Sequence, residues 1–335
     1  MKSGSSIRGF WMTIVLALAV LAAGCGKPQE TATGPSGESK PTKATTAGKR
    51  SGIAIVPKAI AGEYWIDCQK GAEKAAKELG VELTFTGPTS ESDVSGQIAV
   101  VENLINKNIA AIGISPCSAD GLNKVVAKAL RMGIPVVTLD SDTSAKDRLC
   151  YIGTNNRAAG AVAARTLAAL IGDKGKVGVV TGVAGANNLE ERYQGFMEEM
   201  KKHPNITVLP RQAAESDKSL AISITENLLT AHPDLAGIFG VNAISGPGVG
   251  QAVRASGKAG KVKVVSFDVT PELQELCKAG AVQALIAQRP FKMGYLAVKV
   301  LYDALHGKKP TGDIDTGVEV VTREKLLKAA SGKQT

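Results

Sequence analysis

A chain of 335 residues with 44% hydrophobic content is too long for one ordinary core and carries enough apolar residues to bury two, which suggests two lobes. Its formal net charge of +9 is modest, and much of it sits in an N-terminal tail (Lys27, Lys40, Lys43, Lys49 and Arg50 against Glu30 and Glu38) and not on a predicted helix face; this argues against nucleic-acid binding and for a solvated tail near a membrane surface. Beyond Cys25 the cysteines Cys68, Cys117, Cys150 and Cys277 form no Cys-x-x-Cys and face no paired histidines, which argues against a metal site; their spacing selects no disulfide, and small buried residues are the default expectation.

Residues 1–24 carry Lys2 and Arg8 ahead of an uncharged, mostly apolar run over 9–24, and Cys25 follows. This is the pattern of a signal peptide, too short for a comfortable membrane span. Ala22-Ala23-Gly24 before Cys25 resemble a bacterial lipoprotein cleavage box, with leucine one place earlier than usual, at Leu21; lipidation at Cys25 is expected. Residues 26–50, rich in Gly, Pro, Ser, Thr and Lys, read as a flexible tether.

From Ser51 onward apolar runs alternate with helical periodicity. Strands are predicted at 53–56, 81–86, 110–114, 135–139 and 149–152. The helices between them fall at 65–79 (stopped by Gly80), 94–106 and 119–132. The cycle then begins again, with helices at 158–171, 189–201, 220–231 and 248–255, the last preceded by Pro247, and strands at 176–181, 206–209 and 235–240. Residues 264–267, 272–278 and 282–287 spell strand, helix, strand. A long helix at 291–305 and a final strand at 314–321 complete the chain. Two rounds of alternation predict an α/β protein of two doubly wound parallel-sheet lobes.

In the β-α-β unit each apolar run ends on one polar residue, Asp268 and then Gln288. Ligands of doubly wound folds gather where strand carboxyl ends open into a crevice, and a carboxylate and a carboxamide there can each bond two neighbouring hydroxyls. Enzymatic readings are thin. His203 and His232 precede prolines, His306 precedes Gly307, and no serine or cysteine partner is suggested for any of them. Gly246-Pro-Gly-Val-Gly250 lacks the Lys-Ser/Thr of a P-loop and the dinucleotide spacing. A leader and tether occupy the place where a DNA-binding regulator would carry a helix-turn-helix.

The ordered motifs Tyr64-Trp65 leading to Gly71-Ala72, Gly133-Ile-Pro-Val-Val-Thr-Leu-Asp140, Glu191-Arg192-Tyr-Gln-Gly195-Phe196, Phe239-Gly-Val-Asn242, Phe267-Asp268-x-Thr-Pro271 and Ala287-Gln288-x-Pro290 with Gly294 resemble the periplasmic sugar-binding proteins of ABC transporters, ribose-binding type. The resemblance spans Ser51 to about Lys325. It implies a type I periplasmic binding fold with a three-stranded hinge, lobes at 51–153 plus 289–316 and 154–288 plus 317–335, and a cleft lined by Tyr64, Trp65, Asp140, Arg192, Asn242, Asp268 and Gln288. It also implies a binding protein without catalysis or cofactor, monomeric and exported, delivering a monosaccharide or related polyol to ABC permease subunits; the box before Cys25 adds a lipid that holds it to the membrane. A receptor coupled to a chemoreceptor or histidine kinase is the alternative. Aromatic faces suit the C–H face of a sugar ring, and the polar groups suit its hydroxyls.

Departures from the ribose binders leave the sugar's identity open. Asp140 is followed by Ser141-Asp142, Ala61-Gly62-Glu63 replaces the asparagine before the aromatic pair, Ser216 stands where an aromatic often closes the sandwich, and Ala243 replaces an acid. Lys58 at the tip of the first strand, with Gly87-Pro-Thr and Val94-Ser-Gly-Gln97, resembles the branch that includes the furanone-type quorum-signal receptor, and is expected to contact ligand. That branch's second-lobe acid and glutamine fall on Asn188-Leu189, which argues against the same ligand.

Overall fold

The computed structural model describes residues 50–331; the predicted signal peptide, Cys25 and the tether before Arg50 lie outside the described residues, as do 332–335. The first round comprises β1 (Ser51–Val56), α1 (Glu63–Leu79), β2 (Leu83–Phe85), α2 (Val94–Asn106), β3 (Ile109–Ile114), α3 (Asn123–Arg131), β4 (Val136–Leu139) and β5 (Tyr151–Gly153). The second comprises α4 (Asn156–Ile171), β6 (Gly175–Thr181), α5 (Asn187–Met200), β7 (Ile206–Val208), β8 (Gln212–Ala213), α6 (Lys218–Ala231), β9 (Leu235–Gly240), α7 (Ser245–Ala255), β10 (Lys263–Phe267), α8 (Pro271–Lys278) and β11 (Ala284–Ala287). Then follow α9 (Pro290–Leu305), β12 (Ile314–Asp315), β13 (Glu319–Thr322) and α10 (Arg323–Ala330).

The strands form two sheets, ordered β12-β5-β4-β3-β1-β2 and β13-β11-β10-β9-β6-β7, with β8 paired to β6. Every pairing is parallel except β11 with β13. Each sheet is covered on both faces, as short apolar strands require. One core gathers α1 and α9 on the first sheet around Ile53, Val137 and Leu301, and another gathers α2 and α3 around Ile112 and Val126. On the second sheet α4 and α5 enclose Leu167, Phe196 and Phe239, while α6, α7 and α8 enclose Val253, Leu273 and Ile238.

The chain passes between the sheets at three places: from β5 to α4, which packs on β10, from β11 to α9, which packs on β3 and β4, and between β12 and β13. Helix pairs α4/α5 and α1/α9 cross where only hydrogen fits. A Cβ on Gly195 would lie 1.9 Å from the Arg157 carbonyl oxygen, and one on Gly294 2.0 Å from that of Cys68.

Three expectations need correction. The predicted strand over 314–321 is two strands in different sheets, because Gly317 at φ 77 turns the chain between them. Pro247 lies inside the first turn of α7, where its missing N–H belongs to a group with no intrahelical acceptor anyway. Helix α3 starts at Asn123, four residues later than its pattern suggests. Strand β8 and helix α10 had no counterpart among the expected elements. All four cysteines of the described body are free and buried.

Candidate functional site between the two sheets

The ends of five strands and the starts of two helices converge on one cleft, whose empty space counted together with its opening to solvent is about 510 Å³. Lys58 follows β1, Asp140 follows β4, Asn242 follows β9, Asp268 follows β10 and Gln288 follows β11. Tyr64 and Trp65 open α1, and Arg192 sits in the second turn of α5. All eight line the cavity, so the structure brings together every residue singled out for the cleft.

Asp140 is surrounded by four donors. Its Oδ1 accepts from the Tyr64 hydroxyl at 2.7 Å, and its Oδ2 accepts from Ser115 Oγ at 2.9 Å and Asn188 Nδ2 at 3.2 Å, with Lys58 Nζ at 3.3 Å. A carboxylate offers about four acceptor positions, two on each oxygen, so three donors crowd Oδ2 while Oδ1, serving Tyr64 alone, keeps one position open. Burial pushes the Asp140 carboxyl up, but Lys58 and Arg192, helped by the Tyr64 and Ser115 hydrogen bonds, outweigh it and hold the group below the ordinary range. The backbone at Asp140 is left-handed, φ 61, an uncommon state for a residue with a side chain, and the four donors hold it there. Burial, then the charges of Asp140 and Asp268, push the Tyr64 phenol well up, so it remains a donor.

The second sheet supplies groups with spare capacity. Arg192 is 1% exposed. Its Nε donates to Asn156 Oδ1 at 2.9 Å, its Nη1 donates to the Val241 carbonyl at 3.1 Å, and its Cζ lies 4.1 Å over the Phe267 ring. Its Nη2 is buried with no acceptor. Gln288 Nε2 donates to Asp268 Oδ1 at 2.9 Å, while Gln288 Oε1 is buried and receives nothing. Burial drives the Asp268 carboxyl up to about 6 despite Arg192 and Gln288, with Asp140 and Glu91 adding to the rise. An unmet donor and an unmet acceptor in one enclosed space are expensive unless a ligand or water completes them.

The aromatic pair is arranged edge to face, with centroids 5.0 Å apart and planes at 84°. The rings therefore present one face and one edge instead of a single flat platform. Asn242 is partly committed: its Oδ1 accepts from the Ser245 N–H at 2.9 Å and its Nδ2 donates to Ser216 Oγ at 2.9 Å.

Among the lining residues that the sequence did not assign to the cleft, two make polar contacts to its predicted members, Asn188 and Glu91. Asn188, at the start of α5, accepts from Lys58 Nζ at 2.8 Å and so joins the two lobes; in the sequence it stands out only as a departure from another receptor. Glu91 lies in the loop between β2 and α2, where no periodicity marks it, and it accepts from Trp65 Nε1 at 3.2 Å. Among the described residues no cluster of His, Cys, Asp and Glu could hold a metal ion.

A family model described as a periplasmic binding protein domain matches residues 53–309. The D-allose-binding periplasmic protein of Escherichia coli is 34% identical over 269 residues, covering 78% of this chain and 86% of that protein. The ribose import binding protein of Salmonella typhimurium is 30% identical over 283 residues, covering 84% and 94%. Among solved structures, an ABC transporter solute-binding protein from Agrobacterium vitis bound with alpha-D-tagatopyranose superposes with a TM-score of 0.81 at 35% identity, over 85% of this chain and 98% of the other. One from Burkholderia graminis in complex with D-arabinose superposes with a TM-score of 0.79 at 37% identity, over 83% and 97%. With two parallel-sheet lobes, three crossings and a polar cavity between them, the chain belongs to the periplasmic binding protein family, among the sugar-binding proteins of ABC transporters of ribose-binding type.

Proposed function

We propose that this protein captures one monosaccharide or related polyol in the cavity between its lobes and delivers it to an ABC permease, working as an exported monomer tethered through a lipid at Cys25, without catalysis or cofactor. The observation that carries the reading is the pairing of Arg192 Nη2 and Gln288 Oε1, both buried and unmatched, beside Asp268 in a space walled by Tyr64 and Trp65. Vicinal hydroxyls, each donor and acceptor at once, complement such a set, and a ring's C–H face suits Trp65 or Tyr64.

Lys58, Tyr64, Trp65 and Asp140 would come from a first lobe (51–153 plus 289–316), Arg192, Asn242 and Asp268 from a second (154–288 plus 317–335), and Gln288 from the hinge. A ligand bonded to both lobes favours the closed form by its differential affinity, and the permease would read that form. Three or four charge-assisted hydrogen bonds at about 1.5–3 kcal/mol each, less ordering costs, are compatible with micromolar affinity, about −8 kcal/mol. Relatives described as binding allose, ribose, tagatose and arabinose support a monosaccharide.

Titration calorimetry over D-allose, D-ribose, D-tagatose, D-arabinose, D-fucose and xylitol tests this. At least one should bind with micromolar or tighter affinity at one site per chain. Silence across the panel, with no shift in melting temperature, overturns the proposal.

A further inference from the structure

We propose that Glu91 and Ser216 form the latch that keeps the cleft shut over its ligand, so that this pair sets how long a sugar stays bound; the inference rests on reading the cavity as a sugar site. Ser216 Oγ donates to Glu91 Oε2 at 2.8 Å, Glu91 Oε1 accepts from Trp65 Nε1 at 3.2 Å, and Asn242 Nδ2 donates to Ser216 Oγ at 2.9 Å. Three consecutive hydrogen bonds thus run from a cavity-lining aromatic on the first lobe to a cavity-lining amide on the second. Glu91 belongs to the loop between β2 and α2, and Ser216 to the loop between β8 and α6. The two residues therefore ride on different sheets, and any separation of the lobes breaks their bond.

The local backbone supports a dedicated role for Ser216. Glu215 and Ser216 are consecutive residues in the left-handed region, at φ 48 and φ 53. Such conformations are costly for residues with a side chain and persist where surrounding bonds impose them. Here the Ala214 N–H donates to Thr181 O at 2.8 Å and the Asp217 N–H to Ala214 O at 2.7 Å, which pins the loop on both sides of the pair. The strained turn delivers the Ser216 hydroxyl to the one carboxylate that already holds the Trp65 indole. Hydrogen bonds to a charged group are about twice as strong as neutral ones. Other direct links between the lobes include the buried Lys58–Asn188–Asp140 group, the Asn188 N–H to Ser141 Oγ at 3.4 Å, a backbone bond from the Ala119 N–H to Gly185 O at 3.0 Å and, beside the crossings, Asn156 Nδ2 to the Tyr151 hydroxyl at 3.0 Å.

A latch made only in the closed form slows release and leaves encounter with the open form untouched. Radiolabelled D-allose bound to the wild type, Glu91→Ala, Ser216→Ala and the double variant would be chased with excess unlabelled sugar, and association measured by rapid filtration. Each single variant should release sugar about tenfold faster, with association unchanged and the double variant no faster than the singles. Glu91→Gln, whose amide can still accept from Trp65 and donate to Ser216, should recover part of the loss. Release at the wild-type rate from Ser216→Ala, or effects that multiply in the double variant, overturns the latch. Retention by the wild type separates this from the sugar reading: if the wild type retains no D-allose and no other sugar of the panel, the site assignment falls and the latch with it, whereas retention by the wild type with unchanged release from the variants removes the latch alone.

Discussion

Asp140 and Asp268 are buried carboxylates of one cavity whose proton affinities are displaced in opposite directions. Asp140 is held below its ordinary value by Lys58 and Arg192, whereas burial drives Asp268 up to about 6. Environment alone separates them: four donors surround the first, and one carboxamide serves the second.

A pH dependence follows for Asp268. Its folded value of about 6 lies above the unfolded value of about 3.9, so on raising the pH the unfolded chain releases this proton first. Stability from this group is therefore greatest below pH 4 and declines until the folded carboxyl has ionised, near pH 7, by about 3 kcal/mol in all. Asp268→Asn should raise the sugar-free melting temperature at pH 7.5, by about 5 °C, and leave it nearly unchanged at pH 4. If ligand hydroxyls donate to the ionised form, affinity should rise about tenfold from pH 5 to pH 7, and calorimetry on the Asn variant should show a flat profile.

Asp140 carries the opposite sign. A depressed folded value contributes stability above the unfolded value, and that contribution is lost as the pH falls through the folded one. Lys58→Met leaves a buried carboxylate without its cation and should destabilise the protein by about 3 kcal/mol near neutrality. Denaturant titrations at pH 7 and pH 3 should show the gap from wild type narrowing at the lower pH.

Arg192→Lys tests shape against charge. An ammonium keeps the charge but cannot reach Asn156, the Val241 carbonyl and a ligand at once, nor lie flat over Phe267. Affinity for the best sugar should fall about 10- to 100-fold, while circular dichroism stays native.

Gly195→Ala should be disproportionately damaging for one methyl group. Its Cβ would meet the Arg157 carbonyl oxygen at 1.9 Å, so α4 and α5 must move apart, at a cost of about 2 kcal/mol or more. Because α5 also carries Arg192, binding should weaken together with stability. Gly80→Ala, in the left-handed C-cap of α1 with open space around it, should lower the melting temperature and spare affinity.

The strand-end residues were legible because a buried parallel strand is a short apolar run, and the first polar residue beyond it lies at the mouth of the crevice; Asp140 and Asp268 both answer to that rule. Arg192 was not readable from periodicity, since an arginine on a helix usually faces water, and the motif resemblance alone singled it out. Glu91 was invisible because its loop, Ser90-Glu91-Ser92-Asp93, looks like any solvated turn, and its importance arises from Trp65 and Ser216, which lie 26 and 125 residues away in sequence. The split of 314–321 was obscured because Ile314 and Val318 fit one strand pattern, while the turn at Gly317 depends on which sheet each half can reach.

The four thiols of the described body, all free and buried, have a practical corollary. Folding of this body needs no oxidant, so it can be produced in a reducing cytosol without mispaired cross-links. Burial also pushes Cys117 up to about 12 and Cys150 and Cys277 up to about 11, which keeps them inert toward maleimides at neutral pH. A single cysteine introduced on the rim would then take a fluorophore selectively, turning the molecule into an optical reporter of its own ligand.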